Sequence, residues 1–117
     1  MYILETIKKL LGLNGSDTFF DKDIIIAINT SFLVLDQIGV TGKIPHFMVI
    51  DHKTKWNDFL DESPLLEAVK QYVYLKTRSI FDPPFNSVLS ESYKRTLNEL
   101  ESRLSYMVDN NEVKCDE

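Results

Sequence analysis

His46 and His52 are the only histidines among 117 residues, with Asp51 beside the second and Asp58 six positions further on. Imidazole and carboxylate together are the side chains that hold a divalent metal or relay a proton. The spacing argues against either use, since helical ligand pairs stand about one turn apart and these residues fall in a stretch broken by Gly42 and Pro45. Cys115 is remote in sequence from both histidines, and nothing around it favours a thiolate. Acid neighbours such as Asp61 with Glu62, or Glu99 with Glu101, fit a solvated face better than an acid/base couple. None of Gly12, Gly15, Gly39 and Gly42 is followed by the lysine and hydroxyl of a phosphate-binding loop. The residues therefore provide no self-sufficient catalytic, metal or cofactor site. The expectation is a non-enzyme that works by contact with other proteins.

The totals agree. A net charge of -5 and a pI near 5.0 disfavour a protein that grips nucleic acid by neutralising phosphates. The imbalance is local: residues 1–55 carry six lysines and six acids, and residues 56–117 carry seven basic residues against twelve acids. With 44% hydrophobic residues the chain has enough apolar material to fold, and its length fits one domain burying roughly 60–70% of its unfolded surface. A single cysteine suits a reducing compartment. Glu5, Lys8 and Lys9 interrupt the apolar start, and no run approaches the ~20 apolar residues that span a bilayer, so neither secretion nor membrane insertion is expected.

The elements that would position these residues are helical. Ile3, Leu4, Ile7, Leu10 and Leu11 share one face of a short helix that Gly12 can end. Asp21 or Asp23 can cap a second helix, in which Ile25, Ile28, Phe32 and Leu35 keep helical spacing up to Gly39. Between Gly39 and Glu62 the period is lost, which predicts a long loop with room for a short β-ribbon or one helical turn. Ser63 before Pro64 starts a third helix, striped by Leu65, Leu66, Val69, Tyr72, Val73 and Ile80 and stopped at Pro83 and Pro84. Ser87 or Ser90 opens the last, where Tyr93, Leu97, Leu100, Leu104 and Met107 alternate at four and three residues. The predicted fold is all-α: a single-domain bundle of three to four helices over residues 1–108 with a long central loop, then an acidic, disordered tail over 109–117.

One segment mixes basic and aromatic character. From Lys43 to Trp56, three lysines and both histidines accompany a single acid, Asp51, together with Phe47 and Trp56. Such a patch can meet phosphates or an acidic partner. The competing reading is that Phe47 and Trp56 close the core beneath the loop while the lysines are simply hydrated. The first helix poses the same choice between packing on its own domain and binding a partner.

The order short helix, long helix, aromatic loop, Ser-Pro helix, Pro-Pro break and long last helix resembles the head-to-tail connector (portal adaptor) proteins of tailed bacteriophages. The segments that carry the likeness are Asp21 to Gly39, the loop with DHKTKWNDF, and Tyr72 to Leu104. The resemblance implies a structural protein of the virion neck, assembled in the host cytoplasm. It implies a ring of about twelve copies beneath the portal protein, a stopper or tail-completion protein docked on the far face, and phage DNA passing through without sequence-specific binding. Ile3, Leu4, Ile7, Phe47, Lys53, Lys55 and Trp56 are then the expected interface residues, between copies or with the portal. Two other readings remain: a small helical DNA-binding regulator, which lacks a basic recognition helix here, and a non-catalytic subunit of a larger complex.

Overall fold

A computed structural model describes the backbone of residues 1–116 and the side chains of residues 1–108. Among them are five helices and no strand: α1 (Ile3–Leu10), α2 (Asp21–Gln37), α3 (Trp56–Phe59), α4 (Pro64–Phe81) and α5 (Ser87–Asp116). The all-α expectation holds, with one helical turn, α3, in the loop. The β-ribbon does not form among the described residues; a single antiparallel bridge pairs Tyr2 with Lys55. The expected tail, 109–117, lies outside the described side chains.

Local chemistry sets the helix ends. In α1 and α2 the chain leaves through a glycine in left-handed geometry, Gly12 (φ 82°) and Gly39 (φ 99°). The Val40 amide donates to the Leu35 carbonyl at 2.8 Å and the Gly39 amide to the Asp36 carbonyl at 3.2 Å, and Val40 and Leu35 are both buried in the core. This pair of hydrogen bonds satisfies two carbonyls at the end of the helix and closes it. Ser63 caps α4 as expected, its hydroxyl accepting from the Leu66 amide at 3.2 Å, with Pro64 in the first turn. One predicted cap differs. Phe20, not an aspartate, is the N-cap of α2, because Asp21 is engaged elsewhere. Ser87 opens α5, and the cap before it is Asn86, whose Oδ1 accepts from the Val88 amide at 2.8 Å.

Helix α4 lies between α2 and α5. Its buried face is Leu66, Val69, Tyr72, Val73 and Thr77. Thr77 takes the place on that stripe that the sequence assigned to Ile80, which is 47% exposed in the penultimate position of the helix. Helix α2 buries Ile24, Ala27, Ile28, Ser31, Phe32 and Leu35. From α5 come Leu97 and Leu104, with Leu100 half-buried. Tyr72 crosses from α4 to α5 and donates its hydroxyl to Glu101 at 2.9 Å. Burial above all, then that hydrogen bond and the carboxylate's charge, push the Tyr72 phenol well above its ordinary pKa.

Candidate functional site

The loop between α2 and α4 is tied down at three points. Asn29, on α2, holds the loop backbone with both ends of its amide: Nδ2 donates to the Val49 carbonyl at 3.0 Å and Oδ1 accepts from the Val49 amide at 2.7 Å. The chain start supplies the second tie. The Ile3 amide donates to the Thr54 carbonyl at 3.0 Å, the Trp56 amide to Met1 at 3.1 Å, and the Trp56 indole N–H to the Thr6 hydroxyl at 3.1 Å. The third is apolar. Phe32 from α2 packs against Phe47 and Phe59 with ring centroids 4.9 Å from each, and those two rings lie 5.1 Å apart. Gly42 makes this closure possible: with φ 69°, a Cβ there would sit 2.5 Å from the Phe59 carbonyl oxygen.

These ties decide where the expected interface residues lie. Ile3, Leu4, Ile7 and Trp56 are at most 2% exposed and Phe47 is 9% exposed, so all five belong to the subunit's own core. Lys53 and Lys55 stand at the surface, with the Lys55 ammonium 5.6 Å above the Tyr2 ring. The structure therefore keeps the two lysines together at one corner, beside a recess of about 840 Å³ that Tyr2 and His52 also line. It places the five apolar residues behind them.

The histidines are kept apart in the same way. His46, itself in left-handed geometry (φ 57°), puts Nδ1 3.1 Å from Asp36 on one side of α2, whereas His52 faces the recess near α1. Among the described residues no three His, Cys, Asp or Glu side chains gather closely enough to hold a metal ion. The side chain of Cys115 lies outside the described residues.

Two features escaped sequence reasoning. The first is Lys8, 3% exposed, whose ammonium donates to the carbonyls of Gly15 at 3.2 Å and Asp17 at 2.6 Å. It also lies 2.8 Å from Asp21 Oδ1, off the line of a hydrogen bond, so that contact is chiefly electrostatic. The second is apolar surface away from the expected set. Ile26 and Leu33 on the outer face of α2 are 65% and 58% exposed, and with Met48, Phe32 and Phe47 they line a groove of about 370 Å³. A signal for it was available: in Ile24-Ile25-Ile26, successive side chains turn by about 100°, so three in a row cannot all face one core.

A model of the family described as phage connector protein matches residues 3–111, from the first residue of α1 far into α5. The chain belongs to the phage connector protein family. Neither a curated protein nor a solved structure matches it significantly. Membership gives this connector a structural role in a phage particle, exercised through contact with other particle components. No described helix is long and apolar enough to cross a membrane.

Proposed function

We propose that this connector is a head-to-tail adaptor subunit of the virion neck. About twelve copies form a ring beneath the portal protein, the genome passes through the bore, and a stopper or tail-completion protein docks on the opposite face. The family match along nearly the whole chain is the observation that carries this reading. Its physical support is a closed core beside unspent apolar surface, because a subunit whose two contact patches differ joins head to tail and closes into a ring when the rotation allows. The net charge of -5 fits a wall that does not retain passing phosphates. Contact with neighbours or with the portal falls on the Lys53 and Lys55 corner, while Ile3, Leu4, Ile7, Phe47 and Trp56 hold that corner in shape from beneath.

Electron microscopy of the protein mixed with the portal of its own phage tests the proposal. A ring of added density under the portal is the expected result. A connector that never binds portal, or that shifts DNA in a gel at physiological salt, overturns it.

A further inference from the structure

We infer that a second copy of this chain fills the α2 groove, and that the part inserted is the Phe85 turn. The inference rests on the adaptor reading for its setting, a ring of identical copies, and on the following geometry for its content.

Phe85 is 108% exposed, standing clear of its own chain. It is nevertheless held firmly. Pro83 and Pro84 fix the backbone before it, and Asn86 after it caps α5, its carbonyl oxygen accepting from the Ser90 amide at 2.9 Å and its side chain from Val88. A residue immediately before a helix cap commonly packs on the fourth helical residue, but here that residue is Ser90, which offers no apolar partner. The first turn of α5 adds Val88 and Leu89, 73% and 46% exposed. The result is a rigid apolar knob, and rigidity lowers the ordering cost of inserting it.

The groove is its counterpart. Ile26, Leu33 and Met48 form apolar walls over Phe32 and Phe47. Phe20, at the start of α2, packs on Phe81, at the end of α4, with centroids 5.4 Å apart, so the knob belongs to the end of the bundle where α2 begins. The groove centre lies some ten residues further along α2, about 15 Å away. The two patches are distinct surfaces, so a contact between them is heterologous and leaves an open assembly with one free knob at one end and one free groove at the other until a ring closes. An aromatic buries about 150–250 Å². Even with Val88, Leu89 and the groove walls, one such contact falls short of the roughly 1,000 Å² that a stable interface between two proteins needs. Pairwise association is accordingly weak, and closure holds the assembly.

Sedimentation velocity over a concentration series tests this with the full chain and the surface variants Phe85→Ser and Leu33→Glu, each checked for native helicity by circular dichroism. The unaltered chain should associate, and each variant alone should associate about thirtyfold more weakly or worse. At the highest concentration of the series an equimolar mixture of the two variants should form more one-to-one pair than either variant alone, because one partner keeps the knob and the other the groove. Variants that assemble normally, a mixture no more associated than either variant alone, or an unaltered chain that stays monomeric throughout would each overturn the inference. Self-association through this contact combined with failure to bind portal would overturn the adaptor reading and leave this inference standing.

Discussion

Lys8 carries its charge out of water, and three oxygens compensate it: two loop carbonyls and Asp21. Removing one member of a buried pair strands the other. Lys8→Met should therefore lower stability by about 3 kcal/mol in urea unfolding, even though methionine is the more apolar residue. Asn29 is a second such position. Asn29→Asp replaces the amide donor with an acceptor facing the Val49 carbonyl, so the variant should lose about 2 kcal/mol, and amide exchange should accelerate at Val49. Gly42→Ala combines an unfavourable φ with a collision against Phe59 and should cost about 3 kcal/mol. Tyr72 supplies a pH dependence. Its pKa is raised in the fold, whereas an unfolded tyrosine ionises near 10. The stabilisation is complete below about pH 10 and declines as pH rises beyond it. Tyr72→Phe should flatten that alkaline decline in a thermal melt series; an unchanged slope would assign it to other groups.

At the scale of elements, what the sequence disclosed was local. The Ser63-Pro64 start, the glycine ends of α1 and α2, and the Leu97, Leu100 and Leu104 seam each depend on residues within a turn or two, so spacing alone reveals them. What it hid depends on distant segments meeting. Lys8 is buried because Gly15 to Asp21 folds back over α1, and the loop is fixed by Asn29 twenty residues before Val49. Hydrophobicity marks core and contact surface alike, so the sequence does not separate Trp56 and Ile7, which are buried, from Phe85 and Leu33, which are exposed. The tie between α1 and the loop sharpens one expectation. Removing the first ten residues deletes Ile3, Leu4 and Ile7 and uncovers Trp56, so the truncated protein should lose cooperative unfolding altogether. Substitution at the exposed Lys53 and Lys55 probes assembly without that damage.

Across the whole molecule, one cluster runs from α1 through the aromatic loop to α4 and α5, with no second core among the described residues. Unfolding should then be a single transition, with far-ultraviolet ellipticity and indole emission tracing the same curve. That comparison is informative because of where the chain's one tryptophan sits. Trp56 meets Thr6 through its N–H, and the Lys70 ammonium lies 5.8 Å from its ring centre, so α1, the loop and α4 converge on one chromophore. Its emission wavelength is thus a built-in gauge of whether the loop is seated. A subunit joining a particle could be followed in real time without a dye, its colour unchanged if it docks as a finished piece and shifted to the red if docking pries the loop open.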